Sequence, residues 1–169
     1  MERKNLLGKS IKLNNIMLYH LSKSDSISML SPRIPTKVLS RENPFEDSII
    51  SRVSFAPSID GCILGLQLSS EEFIDGKLVM YVYSPIDIDE SRLVSNSDII
   101  KEKLVFDAEI TGECWYLNEV KVKRVGCITV YDIVEKTIEY TPIRIGDPKF
   151  LKPNGKLETY LLKFKWNFD

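Results

Sequence analysis

Three short segments of the chain carry side chains that could take part in chemistry. They are Tyr19-His20-Leu21-Ser22, Arg52-Val53-Ser54-Phe55-Ala56-Pro57-Ser58 and Thr111-Gly112-Glu113-Cys114-Trp115-Tyr116-Leu117. Imidazole, hydroxyl and carboxylate groups can position a substrate, move a proton or stabilise a developing charge. The chain has a single histidine, so any imidazole chemistry must use His20.

Each segment also has an ordinary structural interpretation. His20 could be a partly buried histidine whose hydrogen bonds are satisfied by its neighbours. The serines of the second segment could form only a cap between a strand and a helix, and Glu113 could be a solvated residue at a strand edge. The order and spacing of the three segments therefore carry more information than any one of them.

Composition excludes several other kinds of site. Cys62, Cys114 and Cys127 are widely spaced and form no CxxC pair, so with one histidine no metal site is predicted. The chain has no GxSxG motif, which argues against a serine hydrolase. The 23 Lys and Arg residues balance 24 Asp and Glu residues, so there is no overall attraction to nucleic acid or anionic membranes.

Cysteine usage and hydropathy predict a cytoplasmic location. An odd number of cysteines, with a polar and basic stretch over residues 1–10 in place of a signal peptide, is typical of a reducing compartment. No window approaches 18 apolar residues, so no membrane partner is expected.

Strand patterns surround the three segments. The apolar run 16–19 predicts a buried strand with His20 at its C-terminal end, and the alternation over 52–56 predicts a second strand. Ser58 is then the predicted N-cap of a helix over 59–66. Further strands are predicted over 77–83 (ended by Ser84-Pro85), 103–110, 114–117, 120–130, 137–140 and 160–168.

Together these patterns predict an α+β or mainly β fold with a few short helices in a single domain over 1–169. Residues 1–15 form a polar lead-in and residues 141–169 a C-terminal strand extension. Prolines make 22–51 a long ordered loop, which is a candidate lid because long loops in compact domains are often functional.

The three segments, in this order, resemble the ADP-ribosyltransferase superfamily over roughly residues 16–125. The resemblance rests on a strand ending in His-x-Ser, a strand with Phe-Ala-x-Ser that leads into a helix, and a later glutamate that opens an aromatic strand. It implies mostly antiparallel split β-sheets that hold NAD between them, the fold of poly(ADP-ribose) polymerases and RNA 2'-phosphotransferases.

The resemblance also implies roles for individual residues. His20 matches the histidine that holds the adenosine ribose and amide end of NAD, and Ser22 the hydroxyl that accompanies it. Ser54 stands where the family usually has a tyrosine that stacks on nicotinamide, or Ser-Thr-Ser. Glu113 matches the glutamate that binds the nicotinamide ribose and favours its oxocarbenium-like transition state.

Four further residues complete the predicted NAD site. Phe55 or Tyr19 could line the pocket in place of the missing tyrosine, and Ser58 closes the second motif. Arg33 and Arg52 are candidates for the pyrophosphate, because a guanidinium binds phosphate through two parallel hydrogen bonds.

The predicted function is that of an NAD-dependent mono-ADP-ribosyltransferase-like protein in which Glu113 and His20 are catalytic and NAD is the substrate. The chain also resembles short proteins of low-GC Gram-positive bacteria and their phages, through the runs LYHLS, PRIP, RVSFAPSIDGC and TGECW. That second resemblance supplies no function of its own. If the source is a phage, the expectation is an ADP-ribosylating or nucleotide-binding factor that acts on a host factor in the host cytoplasm, as a counter-defence.

Two alternatives stay open. The first is a non-catalytic nucleotide-binding or inhibitor protein on the same scaffold, which Ser54 favours, and the second is a protein–protein interaction module. Nucleic acid is not an expected partner, because acidic residues accompany the lysines of the strand over 120–130.

Overall fold

The structure is a computed structural model, and it describes residues 17–36, 46–66, 68, 70–131 and 164–168. The predicted lead-in over 1–15, the predicted strand over 137–140 and most of the C-terminal extension lie outside these ranges. In the described part of the chain, antiparallel strands form two sheets and a few short helices join them. The predicted α+β class with antiparallel sheets is therefore confirmed.

The larger sheet is built around two long strands. Its members within the described ranges are β1 (His20–Ser22), β2 (Met29–Leu30), β4 (Lys77–Pro85), β7 (Val120–Tyr131) and β8 (Phe164–Phe168). β7 pairs with β4 along one edge and with β2 and β8 along the other, and β1 pairs with the free edge of β4. Leu78, Met80 and Val82 alternate along β4 and are buried, as expected for a sheet with one face on a core.

The smaller sheet carries the second and third candidate segments. It contains β3 (Val53–Phe55), β5 (Leu93–Val94) and β6 (Cys114–Tyr116), with β6 in the centre. β3 and β6 are antiparallel, with Ser54 opposite Trp115 and Phe55 opposite Cys114. This register brings the start of the third segment beside the second, although the two are about sixty residues apart in sequence.

Two isolated backbone pairings hold β3 beside other parts of the chain. Tyr19 and Ala56 exchange N–H···O bonds of 2.8 and 3.0 Å, which place the start of β1 next to the end of β3. Arg33 and Arg52 exchange bonds of 3.0 and 3.1 Å at the other end of β3. The first segment is therefore adjacent to the second.

Three α-helices within the described ranges connect the strands. α1 (Ile59–Leu66) begins after Ser58, whose hydroxyl accepts a hydrogen bond from the Gly61 N–H at 3.0 Å, so the predicted helix and its N-cap are confirmed. α2 is Asn96–Lys101 and α3 is Ala108–Thr111. Gly112 ends α3 in the left-handed conformation with φ 68°, which favours glycine. Every helix of the described chain is too short or too polar to cross a bilayer.

Three apolar clusters hold the described elements together. The first lies around Phe55, Tyr83 and Tyr116, and the second packs α1 against β4 through Ile59 and Met80. The third surrounds Trp115, which is completely buried, with α2 and α3 packed around it. Because Trp115 belongs to the third segment, this core fixes the position of Glu113 two residues earlier.

The predicted strand over 103–110 is wrong. Lys103 has a positive φ of 54°, which turns the chain, and Val105 makes only an isolated bridge with Glu46. The carbonyl of Asp107 then accepts hydrogen bonds from Ile110 at 2.9 Å and Thr111 at 3.0 Å, which closes the turn of α3. Local turn bonds therefore replace the ladder that the alternating pattern predicts.

Two strand boundaries also differ from prediction. The first strand begins at His20 and does not end there, because Tyr19 pairs with Ala56 while His20 pairs with Tyr83. β4 continues through Pro85, which lies opposite Val122. The proline only removes one donor, and the ladder continues when Ile86 N–H bonds to Lys121 O at 2.8 Å.

Candidate functional site

A cavity of about 820 Å³ lies where β1, β3, α1 and the end of α3 meet. Seven of the eight residues predicted for the site line it: His20, Ser22, Arg33, Arg52, Ser54, Phe55 and Glu113. The eighth, Ser58, caps α1 and is not part of the lining. Three separate segments of the sequence thus contribute to one cavity.

His20 is held by a hydrogen bond to β3, which lies beside the start of β1. Its Nδ1 lies 3.0 Å from the carbonyl oxygen of Ser54, and because a carbonyl only accepts, Nδ1 carries the proton. The ring also meets Phe55 edge to face at 6.1 Å. Burial lowers the pKa of His20 below its usual value, against the opposing effect of the Ser54 hydrogen bond, and the positive charge of Arg33 lowers it further. At neutral pH the ring is therefore neutral, and Nε2 is a hydrogen-bond acceptor.

The second segment offers little aromatic surface to the cavity. Phe55 is 1% exposed and packs into the first apolar cluster, although part of it reaches the lining. Among the described lining residues, the aromatic rings are those of His20 and Phe55. Ser54 lines the cavity and supplies the backbone carbonyl that holds His20.

Arg52 forms a buried part of the cavity wall. Its Nη1 donates to the carbonyls of Asp47 and Ile50, both at 2.9 Å, and its Nη2 donates to the carboxylate of Glu46. The guanidinium carbon lies 4.1 Å from the centre of the Trp115 ring. The side chain has no exposed surface, and its Nε has no hydrogen-bond partner in the described structure. Most of the guanidinium is thus already occupied.

Arg33 differs from Arg52 in exposure. Its backbone pairs with Arg52, but its side chain is exposed at the cavity. A guanidinium in this position is accessible to an anion that enters the cavity.

Glu113 is held in a defined orientation. Its Oε1 accepts a 2.8 Å hydrogen bond from the Trp115 indole N–H. Its backbone N–H bonds to the Thr111 hydroxyl at 3.2 Å, and its carbonyl accepts from the Asn96 amide at 2.9 Å. Since Trp115 is completely buried, the carboxylate is anchored to a rigid core.

Sequence reasoning missed three further acidic residues that line the cavity, Glu46, Glu72 and Asp107. Asp107 is 2% exposed and precedes α3, while Glu113 follows the Gly112 that ends this helix. Burial raises the pKa of Asp107 to about 7, and the negative charges of Glu113 and Glu46 contribute to the rise. The pair of Asp107 and Glu113 could have been recognised in the sequence, because an aspartate and a glutamate flank a one-turn segment that ends in glycine.

Neither Cys62 nor Cys114 offers a reactive thiol. Cys62 lines the cavity and donates to the Tyr19 carbonyl at 3.3 Å, while Cys114 is buried with its thiol 3.6 Å from the Phe55 carbonyl oxygen. Burial raises the pKa of both thiols to about 12, so neither is a thiolate at neutral pH. Within the described ranges, no group of three or more histidine, cysteine or acidic side chains could hold a metal ion.

The arrangement is suited to binding a polar organic ligand and stabilising positive charge on it. An oriented carboxylate, a second carboxyl group, a neutral imidazole and two arginines surround one space of the size that small-molecule and cofactor sites usually have. No family model, curated protein or solved structure matches this chain.

Proposed function

We propose that the chain binds NAD in this cavity and cleaves the bond between nicotinamide and ribose, transferring ADP-ribose to an acceptor. The observation that supports the proposal is the convergence of His20, Ser54 and Glu113, from three distant segments, on one cavity of about 820 Å³. This volume lies within the range typical of cofactor sites.

Glu113 is the residue that lowers the reaction barrier. As nicotinamide leaves with the bonding electrons, positive charge grows on the ribose, so a nearby carboxylate stabilises the transition state more than the ground state. The Trp115 hydrogen bond to Oε1 keeps the carboxylate in place, and Oε2 can then accept from a ribose hydroxyl. Such preorganisation reduces the reorganisation needed during the reaction.

His20 and its neighbours bind the rest of the dinucleotide. The neutral His20 ring offers Nε2 to a hydroxyl of the adenosine ribose, with Ser22 beside it in β1. Arg33 binds the pyrophosphate because its guanidinium is exposed, whereas Arg52 adds only its Nε–H and its charge.

Release of nicotinamide from NAD tests the proposal. Glu113→Gln keeps the size and the acceptor for Trp115 but removes the charge, so we expect nicotinamide release to fall at least about 100-fold. Glu109→Gln is the matched control, since Glu109 is exposed on α3 and does not line this cavity. Equal rates for wild type and Glu113→Gln would refute the role of Glu113.

A non-catalytic nucleotide-binding protein is a second candidate. Ser54 cannot stack on nicotinamide, and Phe55, at 1% exposure, offers little surface to replace that contact. Isothermal calorimetry with NAD separates the two functions. Binding without nicotinamide release supports a nucleotide sink or an inhibitor, and release above the uncatalysed rate supports the transferase.

A further inference from the structure

Two carboxyl groups lie on the same wall of the cavity. Asp107 and Glu113 stand at opposite ends of α3, and the negative charge of Glu113 acts on Asp107. Their environments differ, because Glu113 accepts the Trp115 hydrogen bond whereas Asp107 is 2% exposed and makes no side-chain cap bond to α3. Two carboxyl groups with different environments are suited to different roles.

A buried donor on the same cavity indicates that a ligand completes this wall. The Nε–H of Arg52 has no partner in the described structure, although the side chain is fully buried and belongs to the lining. Buried donors are nearly always hydrogen-bonded, so an unpaired one beside a cavity is a position for a polar atom of a bound molecule.

We propose that Asp107 is the general base that accepts a proton from the acceptor of ADP-ribose, and that this acceptor is water or a hydroxyl group. The inference rests on the proposed function. In the step, the acceptor oxygen forms a bond to C1' of the ribose, and the C1'–nicotinamide nitrogen bond breaks. The bonding electrons leave with nicotinamide, which becomes neutral, and the O–H proton moves to the carboxylate of Asp107.

Neutral nicotinamide needs no proton in order to leave, so the acceptor is the reactant that requires proton transfer. Glu113 is less suited to this transfer, because Oε1 is engaged by Trp115 and the charge of its carboxylate serves the ribose. A base is most effective when its pKa lies near the working pH, and burial raises that of Asp107 to about 7.

The charged groups around Asp107 set its pH response. Glu113 follows α3, and Glu46 lies on the segment before β3, paired with Arg52. His20 on β1 is neutral, and Arg33 is exposed at the same cavity. Burial and the negative charges of Glu113 and Glu46 raise the pKa of Asp107 to about 7, so the rate should rise with pH and level off above about pH 7.

Asp107→Asn with and without azide tests the inference. Azide is an anionic nucleophile that has no proton to lose, so it does not need a base. We expect the variant to release nicotinamide at least about 100-fold more slowly than wild type, and added azide to restore the rate with ADP-ribosyl azide as the product. A purely structural role would not give azide rescue. Glu109→Gln is again the control.

The outcomes separate this inference from the proposed function. If wild type releases nicotinamide and Asp107→Asn is equally fast, or is slow and not rescued by azide, the role of Asp107 is refuted while the proposed function stands. If wild type releases no nicotinamide, both are refuted. If Asp107→Asn does not fold, the pH dependence of nicotinamide release by the wild type tests the inference instead. A rate that stays flat or falls between pH 5.5 and 8 contradicts a base that ionises near pH 7.

Discussion

Arg52 connects the cavity to the two segments that precede β3. Its backbone pairs with Arg33, and its guanidinium contacts Glu46 and the carbonyls of Asp47 and Ile50. Asp47 in turn accepts from the N–H groups of Ile49 at 3.0 Å and Ile50 at 2.7 Å, which closes a turn around the cation. Loss of the guanidinium would remove the donor that these two carbonyls share and a buried cationic partner of Glu46.

We predict that Arg52→Met lowers the free energy of unfolding by about 3–5 kcal/mol, the usual cost of removing one partner from a buried ion pair. Chemical denaturation monitored by circular dichroism measures the change. Arg92→Met, on an exposed 3-10 turn, should change it by less than about 0.5 kcal/mol. The double variant Arg52→Met, Glu46→Gln should lose less than the sum of its single changes, and strict additivity would argue against the coupling.

The raised pKa of Asp107 also makes the free energy of unfolding of the wild type depend on pH. The folded state holds the proton up to about pH 7, whereas the usual carboxyl value is 3.8, so stability falls as pH rises through this window. Asp107→Asn cannot ionise, and its stability relative to wild type should therefore increase by up to about 3 kcal/mol from pH 5 to pH 8. His20 has the opposite sign, but it is present in both proteins and cancels. Denaturant titrations at both pH values measure the difference, and a constant difference would contradict the prediction.

At the scale of elements, the wall of the cavity depends on a close approach between α1 and α3. A Cβ atom at Gly61 would lie 2.1 Å from the carbonyl oxygen of Thr111, so only glycine fits there. One turn later, a Cβ at Gly65 would meet the Thr111 methyl group at an ordinary 3.8 Å. The two glycines of one helix therefore have different roles.

We predict that Gly61→Ala destabilises the fold by about 1–3 kcal/mol, because the added atom separates the helices. Gly65→Ala is the matched control on the same helix, and it should be neutral or raise the free energy of unfolding by up to about 1 kcal/mol, since alanine favours helix. Thermal unfolding of both variants gives the comparison. Equal effects at the two positions would contradict the close contact.

Residue types along the sequence were sufficient to predict several of the helices and strands. Ser58 followed by an apolar helical pattern predicted α1, and β-branched and aromatic residues predicted β4 and β7. By contrast, Glu46 enters the site through its tertiary contact with Arg52, which no short spacing in the sequence encodes. The same reason explains the incorrect strand over 103–110, where turn bonds outweigh the alternating pattern.

At the scale of the whole molecule, β7 links distant parts of the described chain. It pairs with β4 over residues 122–131, with β2 over Val120 and Lys121, and with β8 over 126–130. β4 in turn carries β1, and with it His20. The cavity is thus supported by long-range pairing, so its geometry depends on the complete sheet and not on the three segments alone.

The buried carboxyl group of Asp107 has a consequence for how a ligand and protons bind to the molecule together. NAD carries a positive charge on its nicotinamide ring and negative charge on its pyrophosphate. In the proposed step the nicotinamide ring lies beside Asp107, and its positive charge lowers the pKa of that carboxyl group, so binding would release a proton. Affinity would then rise with pH, in the same direction as turnover by a base that must be ionised. The rate would therefore level off at a lower pH at saturating ligand than at low ligand concentration.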